Sequence, residues 1–307
     1  MTAAMTASTT APTIASSAAF PTPLISAESL RQRLPEAFVV DCSHDLAAPE
    51  AGAEAFAQGH VPGAVHLHLD RELSGPVGPG TGRHPLPSRE ALAARLAALG
   101  LRRGQPVVAY DRNFSPYAAR LWWLLRWLGH EAVAVLDGGW QAWLAAGGAS
   151  EAGPAATRAR GDFAAVAQAA MPSIELEPLL EQVRRQTRQA PELLVVDARS
   201  PERYAGEGET LDPVGGHIPG AVCRFFRDNL QPDGRFLPPA QLHAQWSSLL
   251  AGRDPRQVVS QCGSGVTACH NLLALELAGL GGARLYPGSW SQWCSDPSRP
   301  VARGTTP

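Results

Sequence analysis

Short, uninterrupted apolar runs punctuate this chain, and stretches of helical period separate them. Val107 to Tyr110 and Val258 to Gln261 are two such runs, of the length and β-branched content expected of strands buried on both faces of a parallel sheet. A helix is predicted after the first run. Ser115 stands at its N-cap, Pro116 at its first position, Leu121, Leu124, Leu125 and Leu128 along one stripe, and Gly129 at its end. The second run predicts a comparable helix from about Val266 to Leu277, stopped near Gly279. A further strand follows each helix, at Val133 to Leu136 and at Arg284 to Tyr286, and then a short helix bearing two tryptophans. Alternating strands and helices predict the α/β class, with mainly parallel sheets flanked by helices.

The alternation occurs twice because the chain repeats itself. Val39-Val40-Asp41 returns as Val195-Val196-Asp197, and Gly59-His60-Val61-Pro62-Gly63-Ala64-Val65 as Gly216-His217-Ile218-Pro219-Gly220-Ala221-Val222. Val107 to Asp111 aligns with Val258 to Cys262, and Gly138-Gly139-Trp140 with Gly288-Ser289-Trp290. Four landmarks in one order predict two tandem domains, over residues 27–147 and 173–307. Residues 148–172, rich in Ala, Gly and Arg, read as the linker between them. Residues 1–26, rich in Ala, Thr, Ser and Pro, read as a disordered tail without the basic start and apolar centre of a secretory signal.

Composition narrows the function classes. The chain has 307 residues and a formal net charge of −2, which argues against nucleic acid or an acidic membrane surface as partner. No apolar run reaches the roughly 18 residues of a membrane helix. The five cysteines, Cys42, Cys223, Cys262, Cys269 and Cys294, are odd in number and irregularly spaced, with no Cys-x-x-Cys. That pattern argues against a disulfide framework or a structural zinc site and fits a reduced, cytoplasmic enzyme.

Cys262 stands where a parallel strand gives way to a helix, the place at which open α/β sheets bind ligands. Gly263 and Gly265 let the backbone curl with its N–H groups turned inward, and the helix behind adds the positive end of its dipole. Such a ring favours an anion, so a thiolate nucleophile is expected at Cys262, with the hydroxyls of Ser264 and Thr267 available to the loop. An isolated buried cysteine is more commonly inert, and Cys269, inside the helix, keeps that reading. A phosphatase loop would require arginine six positions after the cysteine, and Ala268 stands there.

The tandem halves, the two Gly-His-(Val/Ile)-Pro-Gly-Ala segments, the Cys262 loop and Tyr286-Pro287-Gly288-Ser289-Trp290 together resemble the two-domain rhodanese family of sulfurtransferases, over roughly Leu30 to Arg303. The resemblance implies two rhodanese-like domains, the first catalytically silent, and Asp111 indeed occupies the nucleophile's position there. It implies a Cys262 persulfide, no cofactor and no metal, a small-molecule sulfur donor, and a thiol, cyanide or thioredoxin-like acceptor. Members that prefer 3-mercaptopyruvate carry Cys-Gly-Ser-Gly-Val-Thr, matched here from Cys262 to Thr267, whereas thiosulfate-preferring members carry cationic loops. The resemblance also assigns Gly263, Gly265, Val266 and Thr267 to the donor site and Arg203 to the donor's anionic group. A surface ion pair of Arg203 with Glu202 or Glu207 is the competing reading. A second arginine often found before the Gly-His-Ile-Pro-Gly segment has no counterpart in Thr210-Leu211-Asp212-Pro213. A Ser–His–Asp relay maps onto Ser264, His84 and Asp70, although the 70-to-84 interval differs from the family's best-known spacing. Thiosulfate:cyanide transfer and a non-catalytic binding module are the alternative functions.

Other side chains read as structural. His60 and His217 recur in both halves, the silent one included. His66 and His68 lack further ligands in the sequence, and Trp122, Trp123 and Trp127 suit core or interdomain packing.

Overall fold

In the computed structural model, which describes residues 20–186 and 192–306, the apolar runs become two parallel sheets. The first sheet comprises β1 (Leu24–Ile25), β2 (Phe38–Asp41), β3 (Val65–His66), β4 (Val107–Tyr110) and β5 (Val133–Leu136), in the order β1-β5-β4-β2-β3. The second comprises β6 (Leu194–Asp197), β7 (Val222–Cys223), β8 (Val258–Gln261) and β9 (Arg284–Leu285), in the order β7-β6-β8-β9. Every pairing between these strands is parallel, and the central strands β2, β4, β6 and β8 are buried along their whole length. Fully buried strands explain why the runs show no apolar/polar alternation.

The repeat is visible in the register. Phe38 pairs with Val107 in one sheet and Leu194 with Val258 in the other. His60 Nδ1 lies 2.8 Å from the Phe56 carbonyl with its ring stacked on Phe56, and His217 Nδ1 lies 2.9 Å from the Tyr204 carbonyl with its ring stacked on Tyr204. The same pair of contacts in each half gives both histidines a fold role.

Three local expectations change. Leu24–Ile25 falls within the stretch expected to be disordered, yet it pairs with β5, and Ser26 caps the helix Ala27–Arg33. Two residues on a sheet edge are too few to carry a periodic signal; residues 1–19 lie outside the described residues. Ser115 does precede the helix Pro116–Trp127, but with φ of 72° and no capping bond from its hydroxyl. The Asp111 carboxylate supplies that cap instead. The segment between the halves lies along the first one: Gly161, Phe163 and Val166 donate N–H bonds to the carbonyls of Ala97, Leu101 and Leu128.

Helix Pro116–Trp127 packs against helix Thr267–Leu277, so the two helices that follow the equivalent strands meet at the boundary of the halves. One apolar cluster runs through both, with Trp122, Trp123 and Trp127 from the first half and Leu272, Leu273 and Leu275 from the second. This contact turns the carboxyl end of β8 towards the first half. Gly129 (φ 86°) and Gly279 (φ 69°) end the chain turns that follow the two helices.

Candidate active site

Cys262 is the first residue after β8 and is only 2% exposed. Its Sγ accepts N–H bonds from Ser264 at 3.5 Å and Gly265 at 3.2 Å. The loop takes this shape because Gly265 adopts φ of 79°, and because a methyl group on it would lie 2.5 Å from the Pro287 carbonyl oxygen. The Pro287 segment fixes the loop from outside. Cys262 N–H donates to Ser289 Oγ at 3.1 Å, Trp290 N–H donates to the Cys262 carbonyl at 2.9 Å, and Ser291 N–H donates to the Gly263 carbonyl at 3.0 Å. Ser289 itself holds φ of 53°, a strained conformation for a residue with a side chain.

The first half carries the same cradle with a different occupant. Asp111 Oδ1 accepts from the N–H groups of Asn113 and Ser115, and Oδ2 from those of Tyr117 and Ala118, at 2.8–3.0 Å. Burial raises its pKa to about 6 against the pull of those four donors. The same strand-to-helix turn thus gathers backbone N–H donors around a carboxylate in one half and a cysteine sulfur in the other, an arrangement that favours negative charge.

Ser264 turns its hydroxyl away from the loop and towards the first half. His84 Nδ1 lies 2.6 Å from Ser264 Oγ, and His84 Nε2 lies 3.1 Å from Asp70 Oδ1. The carboxylate accepts the Nε2 proton, which leaves Nδ1 as acceptor for the serine O–H. Burial lowers the His84 pKa to about 4, with Asp70 opposing the shift and Arg120 and Arg83 adding to it, so the imidazole is neutral at pH 7. The three residues assigned from the family pattern therefore meet, despite the unusual interval between Asp70 and His84.

Arg203 pairs with neither Glu202 nor Glu207. Its Nε and Nη2 grip Glu209 at 2.9–3.1 Å, and Nη2 also reaches Asp212 Oδ2 at 3.2 Å. It lines a pocket of about 80 Å³ together with Arg83, Arg199, Cys262, Gly263 and Ser264; Val266 and Thr267 form part of the same wall. The other four thiols, Cys42, Cys223, Cys269 and Cys294, all have pKa values pushed up chiefly by burial, and none of the five cysteines is disulfide-bonded.

The structure adds residues that the sequence reading missed. Arg120, fully buried in an otherwise apolar helix, donates to the Gly265 carbonyl at 3.0 Å and to the His84 carbonyl at 3.1 Å, tying the two loops together across the halves. A lone charge beside Leu121-Trp122-Trp123 was the available signal. Arg83 pairs with Asp212 of the other half. Arg199 pairs with Asp197 at 2.7 Å and leaves its buried Nη1 without a hydrogen-bond partner among the described residues. Glu209 and Asp212, nearly buried carboxylates within a polar loop, gave no sequence signal. His68, expected to lack other potential ligands, stands beside His44 and Asp70, each offering an atom within 4.8 Å of the others. Its ring is already engaged: Nδ1 accepts the Asp70 N–H at 3.1 Å and Nε2 contacts the Pro49 carbonyl at 3.0 Å.

Comparison with known proteins agrees with this construction. The rhodanese-like domain model matches the chain twice, over residues 26–146 and 179–296. A probable 3-mercaptopyruvate sulfurtransferase of Pseudomonas aeruginosa is 50% identical over 285 residues, covering 92% of this chain and 98% of the relative. A putative thiosulfate sulfurtransferase of Mycobacterium tuberculosis is 40% identical, covering 87% and 91%. Among solved structures, 3-mercaptopyruvate sulfurtransferase from Leishmania major superposes with a TM-score of 0.77 at 30% identity, covering 89% of this chain and 74% of that one. With a duplicated parallel fold, a cysteine cradle in one half and an aspartate-filled copy in the other, the chain belongs to the rhodanese family and carries two rhodanese-like domains in tandem.

Proposed function

We propose that the chain moves sulfane sulfur from 3-mercaptopyruvate, through a persulfide on Cys262, to a thiol or cyanide acceptor. The observation that carries this reading is the continuous path Ser264–His84–Asp70 beside the Cys262 cradle. Mercaptopyruvate brings a thiol proton that must move, whereas thiosulfate brings none, so a proton relay has work only with the former.

In the proposed step the Cys262 thiolate attacks the donor sulfur and a new S–S bond forms. The donor's C–S bond breaks, and its electron pair passes to the pyruvate enolate. Ser264, relayed by His84, takes up the thiol proton and returns it to the departing carbon, so pyruvate leaves and Cys262 retains a persulfide anion. The Ser264 and Gly265 N–H groups, now bonded to Cys262 Sγ, would be the donors nearest that charge. The acceptor thiolate or cyanide then attacks the outer sulfur and restores the Cys262 thiolate. A small thiol or a reduced thioredoxin-like protein suits this half-reaction. Five unpaired thiols fit a reducing, cytoplasmic compartment.

Intact-mass measurement after incubation with mercaptopyruvate tests the reading. Wild type should gain one sulfur and Cys262→Ser none. Equal gain by both proteins, or none by wild type, would sink it. Comparing kcat/KM for mercaptopyruvate and thiosulfate separates this donor from the alternative suggested by the name of the Mycobacterium tuberculosis relative.

A further inference from the structure

The Arg83 guanidinium comes from the catalytically silent half, yet it lies over the Cys262 loop. A methyl group built on Gly263 would stand 2.8 Å from Arg83 Nη2 and 3.4 Å from Arg203 Nη1. Two guanidinium groups so close together repel unless an anion lies between them. Asp212 supplies it: Oδ1 pairs with Arg83 Nη1 and Oδ2 accepts from Arg203 Nη2 at 3.2 Å, and its side chain is 2% exposed. Each arginine is thus held by one edge. Arg83 Nη2 and Arg203 Nη1, the remaining terminal groups, donate no hydrogen bond to the described residues and face the same space above Gly263.

The Arg83 loop is held in place from both sides. Its N–H donates to Ser291 Oγ at 3.0 Å, and a methyl group on Gly82 would lie 2.4 Å from the Gly288 carbonyl oxygen. Only glycine at position 82 permits this approach, which brings the first half against the segment that braces the cysteine.

We infer that Arg83, contributed by the first half, joins Arg203 in a two-pronged clamp for the carboxylate of the sulfur donor. The inference rests on the proposed donor chemistry but assigns a separate feature, a donor site assembled from both halves. Gly263 is glycine because any side chain would fill the clamp. Asp212 is a positioning residue: its two oxygens pair with the two guanidinium groups and keep them on the same side of the Cys262 loop.

Alkylation of Cys262 reads the clamp without any sulfur donor. Iodoacetate carries a carboxylate to the same thiol that neutral iodoacetamide reaches, and peptide mass identifies modification at Cys262. With glutathione as reference, wild type should favour iodoacetate. Arg83→Gln should lower the iodoacetate rate by about tenfold, as expected for losing one charged donor, while the iodoacetamide rate changes little. Arg83→Lys should recover part of the preference. In turnover, Arg83→Gln should raise KM for mercaptopyruvate by about tenfold and alter kcat much less. If the two reagents slow equally, Arg83 only ties the halves together and the clamp is refuted. Should Arg83→Gln unfold, Arg83→Lys and the salt dependence of the wild-type ratio decide: a ratio unaffected by both refutes the clamp. A wild type that prefers iodoacetate yet takes no sulfur from mercaptopyruvate would retain the clamp and overturn the donor.

Discussion

Ser264 and His84 lie 180 positions apart, one in each half of the duplicated chain, and their side chains meet at 2.6 Å. The contact makes the proposed proton path a product of both domains. Ser264→Ala should therefore lower mercaptopyruvate turnover by about 100-fold, the ordinary contribution of a positioned acid–base group. Turnover with thiosulfate, which has no thiol proton, should fall far less. Equal losses with the two donors would remove the relay from the mechanism.

The neutral imidazole is the form that accepts the serine proton, and burial holds His84 at about 4. Between pH 5 and 8 the kcat profile should consequently show no His84 inflection near the ordinary histidine value of 6.5. Asp70 raises the His84 pKa, so Asp70→Asn should move the acid limb to still lower pH. An inflection near 6.5 that disappears in His84→Gln would contradict this assignment.

Arg120 is completely buried and bonded to backbone carbonyls of both the Cys262 and the His84 loops. Arg120→Met leaves those carbonyls unpaired. Urea unfolding should register a loss of at least about 2 kcal/mol, and turnover should fall because the Cys262 and His84 loops lose their common tie. Unchanged stability would mean that the carbonyls find other partners.

His270 is fully buried beside Phe236, and burial lowers its pKa to about 3. Unfolded, it would titrate near 6.5. Between these values the unfolded chain binds a proton that the native chain refuses, so native stability falls as pH drops below 6.5, by about 1.4 kcal/mol per unit. The stability difference between wild type and His270→Gln should accordingly shift against wild type on acidification. Parallel stability curves for the two proteins over pH 6.5 to 4.5 would show that His270 protonates without unfolding.

Gly265→Ala should disable the loop. Its φ of 79° disfavours alanine, and the added methyl group would strike the Pro287 carbonyl. A stability loss of about 1–3 kcal/mol should accompany loss of Cys262 persulfuration, measured by intact mass.

The parts of this molecule that were legible in sequence are those written in contiguous residues. Val107 to Tyr110 and Val258 to Gln261 announce buried strands, and the glycines around Ser264 announce a tight loop after one of them. Duplication then supplied the architecture. His84 and Asp70 were reachable only through the family pattern, because residues 180 and 194 positions from Ser264 carry no local sign of it. Arg83 was out of reach, since its role depends on Gly82 packing against Gly288 across the domain boundary. Asp212 carries no local sign of the two guanidinium groups that it joins across the halves. Leu24–Ile25 was lost to brevity: it is a strand only because β5 offers an unpaired edge.

Asp111 gives the duplication a further meaning. Its carboxylate is covalently tethered to the cradle it fills, so it competes at an effective concentration that a dissolved donor cannot match. The cradle of the first half is thus occupied by a group of the chain itself. Of the two cradles in this chain, one is filled from within, and under the proposed sulfur transfer the load they can carry is one sulfur atom per molecule.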